Sequence, residues 1–294
     1  MAAAVTLFRT ARAAAPRGSV TAVDTHSHIF LRTLHFAQVH RYVPDYDATL
    51  EAYLGNLDSH GISHGVLIQP SFLGTDNSFL LEALRLHPDR LRGIAVVEPT
   101  APGGDLDALA AAGIVGIRLN LIGEPLPELE TGPWPALLRQ VARLGWQVEV
   151  QREARDLPRI VPPLLASGVN VVVDHFGRPD PRLGVDDPGF RFLLEAAVTR
   201  RLWIKLSGAY RNGANGRGEE IAQAAIPFLR RAFGPERLLW GSDWPHTQFE
   251  KTASYSAARA ELDAWIPDPA ERTVILRDTP AKLFHFPTPM RHAT

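Results

Sequence analysis

A single (β/α)8 barrel is the fold this sequence predicts, and three observations predict it. Eight short apolar, β-branched runs recur along the chain, at residues 21–29, 65–69, 91–97, 116–120, 147–151, 169–174, 202–206 and 238–241. Several are continuous hydrophobic strings, such as Val169-Asn170-Val171-Val172-Val173 and Gly93-Ile94-Ala95-Val96-Val97. Strands of that kind are buried on both faces, as in a parallel sheet covered by helices. Helix-like segments separate most of the runs without any clear linker, and no Gly-rich dinucleotide fingerprint follows a run, which argues against an open doubly wound sheet.

The elements follow in order. The first run carries Asp24-Thr25-His26-Ser27-His28 between the apolar flanks Ala22-Val23 and Ile29-Phe30. Strand side chains alternate, so His26 and His28 share a face, with Cα atoms roughly 6.5–7 Å apart. Residues 31–45 form a long connection containing His35, His40 and Tyr42, placed where it can act as a partial lid. Tyr46, Leu50, Tyr53, Leu54 and Leu57 then keep a helical period that stops at Gly61. Phe79, Leu80, Ala83 and Leu84 do the same behind the capping residues Thr75 and Asp76. Trp134, Leu137, Leu138, Val141 and Leu144 follow Pro133 and end at Gly145, with proline at the helix entry and glycine at its exit. Segment 156–167 is a weaker helix, shortened or kinked by Pro158, Pro162 and Pro163. Segments 187–200, 219–234 and 252–266 are further helices, and 268–285 supplies one or two terminal ones.

Composition narrows the function. The chain has 294 residues, 45% hydrophobic and 21% charged, with a net charge of −1, and its basic residues form no long run that would mark a nucleic-acid partner. It contains no cysteine, so disulfides, thiolate metal sites and a cysteine nucleophile are excluded and His, Asp and Glu remain as metal ligands. No apolar stretch reaches the length of a membrane span. Residues 1–18 read as a flexible Ala- and Arg-rich extension before one domain at 19–288, and the default expectation is a cytoplasmic enzyme.

In such a barrel the strand C-termini share one face, and the polar residues gather there. The first strand ends in His26 and His28, the second in Gln69-Pro70-Ser71, the fourth in Arg118 and Asn120. Glu149 and Gln151 come from the fifth, Asp174 through Arg178 from the sixth. Ser207, Tyr210 and Arg211 follow the seventh, and Asp243 through His246 the eighth. His26, His28, His175 and Asp243 suit either a divalent metal or general acid–base work. Asp174 precedes His175 and alternation turns it away, a structural position; Asp243 is the better general base. Arg118, Arg178 and Arg211 face one pocket, and guanidinium forks match carboxylates, so the expected substrate is anionic.

The motifs DTHSHIF, QPS with GTDN, RLN, DHFGRPD, KLSGAYR, WGSDWPH and TPAKLF, in this order from about residue 16 to residue 286, resemble the amidohydrolase-related barrel hydrolases, most closely the 2-pyrone-4,6-dicarboxylate lactonase branch. The resemblance implies a distorted barrel that hydrolyses a small carboxylated lactone. It assigns His26, His28, His175 and Asp243 to the active site and Arg118, Arg178 and Arg211 to the substrate carboxylates; on the mechanism expected from the residues, Ser71, Tyr210 and His246 add hydrogen bonds. In that branch no metal is required; the alternative is one divalent ion, zinc or manganese, on His26, His28, His175 and Asp243. A carbamylated lysine bridge is not expected, because the fourth and fifth strands carry no lysine. Gln151 stands where the branch has a substrate-contacting Tyr, and Glu149 beside it either departs from the family or pairs with a pocket arginine. Two other functions fit the same residues: a metal-dependent decarboxylase of an aromatic or muconate-like acid, and a non-catalytic ligand-binding barrel. The reading that follows is a lactonase in which Asp243 activates water and the imidazoles polarise the carbonyl, acting on a small anionic lactone with no nucleic-acid or membrane partner.

Overall fold

A computed structural model of the chain describes residues 19–38 and 42–287, so the extension expected over 1–18 and His40 lie outside the described residues. Eight parallel strands run in sequence order around a barrel: β1 (Val23–Ser27), β2 (His64–Ile68), β3 (Leu91–Ala95), β4 (Ile114–Asn120), β5 (Gln147–Gln151), β6 (Asn170–Val173), β7 (Leu202–Leu206) and β8 (Leu238–Trp240). The eight expected runs are all present, trimmed by one to four residues where β1, β3, β6 and β8 bend into loops, shifted back by one in β2 and extended by two at the start of β4. Between them lie α1 (Leu50–Ser59), α2 (Ser78–Leu86), α3 (Gly103–Ala111), α4 (Trp134–Arg143), α5 (Leu157–Ala166), α6 (Pro188–Ala196) and α7 (Arg217–Phe233), followed by α8 (Tyr255–Trp265). The tail adds α9 (Pro269–Thr273), a π-helical turn (Val274–Asp278) and α10 (Thr279–Leu283).

Alternation along the strands sorts the side chains into two cores. Outward-facing Leu67, Ile117, Val148, Val150, Val171, Ile204 and Leu206 pack against helix residues such as Leu137, Leu164 and Leu229. Inward-facing Val23, Val66, Ile94, Val172 and Leu239 fill the N-terminal end of the barrel, where Leu283, Phe284 and Phe286 of the tail close it. Three helix expectations change. Tyr46 lies before α1, edge-on to Phe30 at 5.3 Å, and Thr49 caps the helix instead, accepting from Ala52 N. Helix α3 went unpredicted because its Ala- and Gly-rich sequence buries only Leu106. Helix α5 continues through Pro162 and Pro163, since burial of Leu157, Ile160, Val161, Leu164 and Leu165 outweighs the lost backbone bonds.

The ring closes unevenly, and this positions the site. Strand β8 has only three residues, and its join to β1 is made just beyond it, by a single bridge between Ser27 and Trp244. Asp243 N donates to His26 O, and His28 N to Trp244 O, both at 2.8 Å. The buried Asp24 carboxylate accepts from Ser242 N at 2.9 Å and Ser242 Oγ at 2.6 Å, and burial pushes its pKa up to about 6. Gly241 permits this approach, because a Cβ there would lie 2.4 Å from the His26 Cβ. No helix among the described residues is long and apolar enough to cross a membrane.

Candidate active site

The three histidines and Asp243 meet at the C-terminal end of the barrel. The ring centroids of His26 and His28 are 5.0 Å apart, those of His26 and His175 are 4.9 Å apart, and His26 Nε2 lies 3.8 Å from Asp243 Oδ1. His28 Nδ1 bonds the carbonyl of Ile68 at 2.8 Å and so carries a hydrogen, which leaves Nε2 of that ring as an acceptor. His175 Nδ1 faces Ser207 Oγ at 3.0 Å. Burial lowers the pKa of His26 and of His175 to about 3, and that of His28 well below its usual value, so all three imidazoles are neutral. Burial alone would raise the Asp243 carboxyl, but the Arg211 guanidinium beside it outweighs that and holds the group ionised.

Backbone irregularity aims these groups. His175, Phe176, Arg178, Asp243 and His246 all have positive φ, between 50° and 64°, a conformation that costs non-glycine residues on the order of 1–3 kcal/mol each and tends to cluster at functional sites. Gly208, at φ 52°, passes so close that a Cβ would lie 2.5 Å from Asp243 Oδ2. Any side chain at this position would displace the carboxylate.

Asp174 points into the barrel, against the expectation drawn from its neighbour His175. Strand β6 stops at Val173 and His175 turns left-handed, so the expected outward direction does not apply. Its Oδ2 accepts from Arg118 Nη2 at 2.8 Å and Arg118 Nε at 3.2 Å, and its Oδ1 lies 3.3 Å from His26 Nδ1. A second residue escaped the sequence reading altogether. Lys205 of β7 is fully buried inside the barrel, with Nζ 2.5 Å from Glu149 Oε2, 3.5 Å from Asp174 Oδ1 and 3.1 Å from His26 Nδ1. Glu149 therefore pairs with this lysine and not with an arginine, and burial pushes its pKa up to about 7 against the pull of Lys205. A signal was available: Lys205 shares its strand face with Trp203, opposite Leu202, Ile204 and Leu206, and is one of three lysines in the chain.

Above this layer opens a cavity of about 260 Å3 walled by His28, Arg118, Gln151, Arg178, Arg211 and Asp243. Ser71 and Ile122 complete one side, and Tyr42 and Phe249 overhang it from loops. Tyr42 also packs edge-on against Phe72 at 5.2 Å, tying the connection after β1 to the loop after β2. Arg211 Nε donates to Asp243 Oδ2 at 2.5 Å. Tyr210 and His246 are not among the cavity-lining residues; they stand behind Asp243, with Tyr210 OH donating to Asp243 Oδ2 at 2.7 Å and lying 3.0 Å from His246 Nδ1.

By residue type the cluster can hold a divalent ion. His26, His28 and Asp243 each offer one ligand atom within 4.8 Å of the others, as do His26, Asp174 and His175. His26 Nε2, His175 Nε2 and Asp243 Oδ1 are buried without a hydrogen-bond partner, as atoms awaiting a ligand would be. For His26 the fit holds only with its proton on Nδ1, directed at Asp174.

The amidohydrolase family pattern matches residues 23–286. A 2-pyrone-4,6-dicarboxylate hydrolase of Comamonas testosteroni is 31% identical over 274 residues, spanning 90% of each chain. A 4-sulfomuconolactone hydrolase of Rhizobium radiobacter is 32% identical, spanning 92% of this chain and 91% of its own. The crystal structure of a probable 2-pyrone-4,6-dicarboxylic acid hydrolase from Acinetobacter baumannii, with citric acid bound, superposes with a TM-score of 0.88 at 43% identity, spanning 90% of this chain and 100% of its own. With its barrel, its histidine pair on β1 and its aspartate after β8, this chain belongs to the amidohydrolase family.

Proposed function

We propose that this enzyme opens a small lactone bearing carboxylate groups by hydrolysis, with Asp243 as general base. One observation carries the reading. Asp243 Oδ2 is held by Arg211 and Tyr210, while Oδ1 has no protein partner and faces the imidazoles beneath a cavity walled by three arginines. A water seated against Oδ1 loses a proton to it as the oxygen attacks the lactone carbonyl carbon. The carbonyl oxygen gains charge and is stabilised by an imidazole N–H, a role open to His26 but not to His28, whose hydrogen is held on Nδ1 by Ile68 O. The ring C–O bond then breaks, and the departing oxygen takes a proton to give the open-chain acid. Arg118, Arg178 and Arg211 orient the carboxylates through bidentate contacts, and Ser71 and Gln151 line the same wall. The names of the lactone hydrolases similar to this chain support the same substrate class.

A divalent ion, if held by these His and Asp groups, would lower the pKa of a bound water and polarise the carbonyl. A panel of carboxylated lactones, assayed for ring opening with and without chelator, tests both parts. The expected result is turnover that survives chelation. Carbon dioxide release in place of ring opening, or no turnover of any carboxylated lactone by the folded enzyme, rejects the lactonase reading. Activity strictly dependent on added zinc or manganese rejects the metal-free part alone.

A further inference from the structure

Beneath the imidazoles, Lys205 has no part in the hydrolysis as described, yet it is buried at the centre of the barrel. Glu149 on one side and Asp174 on another fix its ammonium, and a remaining N–H points at His26 Nδ1 from 3.1 Å. An ammonium only donates, so Nδ1 accepts and the hydrogen of this neutral imidazole sits on Nε2. Asp174 Oδ1 competes for the same nitrogen from the longer distance of 3.3 Å. The far end of the ring agrees: Nε2 faces the carboxylate oxygen Oδ1 of Asp243 at 3.8 Å, where an N–H is attracted and a lone pair is repelled.

We propose that Lys205 is a positioning residue that holds His26 as its Nε2–H tautomer, making the ring a hydrogen-bond donor to the substrate carbonyl and weakening its capacity to bind a divalent ion through Nε2. An ion between His26 and Asp243 needs the opposite tautomer, which would set Nδ1–H directly against the Lys205 ammonium. Replacing the lysine leaves Asp174 as the partner of Nδ1, and a carboxylate there favours the metal-binding form. The tautomer does not depend on the proposed lactone hydrolysis; only the target of the donated hydrogen bond rests on that reading.

The first test uses the unmodified chain, labelled with 15N-histidine, with His26 resonances assigned by their loss in His26→Gln. The expected spectrum has an unprotonated Nδ1 and a protonated Nε2 for His26; the reverse pattern overturns the proposal whether or not the Lys205 variant folds. The second uses Glu149→Gln combined with Lys205→Met, which removes one negative and one positive charge together. Calorimetry is expected to show Zn2+ binding about 10- to 100-fold tighter than in the unmodified chain. Unchanged Zn2+ affinity in a variant that unfolds cooperatively overturns the proposal. With a lactone in hand, the same variant should lose about 10²–10³-fold in kcat with KM little changed, the signature of a lost transition-state donor. Because the spectrum and the calorimetry involve no turnover, they separate failure of this inference from failure of the lactonase reading.

Discussion

The two ends of the barrel interior are built from the same eight strands and do opposite work. At the N-terminal end Val23, Val66, Ile94, Val172 and Leu239 meet Leu283, Phe284 and Phe286 in an apolar plug. A few residues further along, β4, β5 and β7 with the ends of β1 and β6 present Arg118, Glu149, Lys205, His26 and Asp174, none more than a few per cent exposed. Each apolar side chain buried in the plug contributes roughly 1.5–3 kcal/mol of stability. Each ion in the upper layer loses hydration worth several kcal/mol, which only the pairing of two cations with two carboxylates offsets. Stability and chemistry are thus divided along the strand direction, and a barrel is suited to this because its layers pack independently.

That division can be broken in four places. The largest effect is expected for Asp243→Asn, with kcat falling about 10²–10⁴-fold in a lactone assay while circular dichroism shows the barrel retained. Equal turnover would move the base elsewhere. Phe284→Ala should do the reverse, costing about 3–5 kcal/mol in urea unfolding with kcat/KM unchanged below the transition. If turnover fell with stability, the two layers would not be independent. Arg178→Gln should weaken binding of a dicarboxylated lactone by about 1.5–3 kcal/mol, read as a higher KM, with a smaller change for a monocarboxylated one.

The smallest effect concerns pH at the plug. His64, packed edge-on against Phe286 at 4.9 Å, has its pKa lowered by burial, then by Arg90 and Arg92, from 6.5 to about 4. Between those values the unfolded chain binds the extra proton and the folded one does not. The stability contribution is therefore complete above 6.5 and is lost as pH falls toward 4. His64→Gln should flatten the slope of unfolding free energy in that window, and an unchanged slope would remove His64 from the account.

Much of this was legible in the sequence. Continuous apolar strings marked strands buried on both faces, and polar residues at their ends marked the C-terminal rim, so the histidines, Asp243 and the three arginines could be grouped before any coordinates. The failures have physical causes. Asp174 was misdirected because its direction was taken from His175, which turns left-handed at φ 52°; alternation carried on from inward Val172 places the still extended Asp174 inside the barrel. Lys205 was overlooked because a lysine within a strand ordinarily reads as solvent-facing, whereas here Glu149 from β5 and Asp174 after β6 neutralise it inside the barrel. Neither pairing has a local trace in the sequence. Helix α3 was missed for want of an apolar stripe, and the placement of Tyr210 and His246 behind the base depends on the turns around them.

The uneven closure between β1 and β8 also bears on how the protein comes to be active. Asp24 and Ser242, joined there by two hydrogen bonds, are 218 residues apart, so their meeting must overcome the loop-closure entropy of most of the chain. The same junction bonds Asp243 N to His26 O and so sets the base against the first imidazole. Until β8 and β1 meet, His26 and Asp243 are not set against each other. The proposed hydrolysis therefore requires the ring to be closed at this junction.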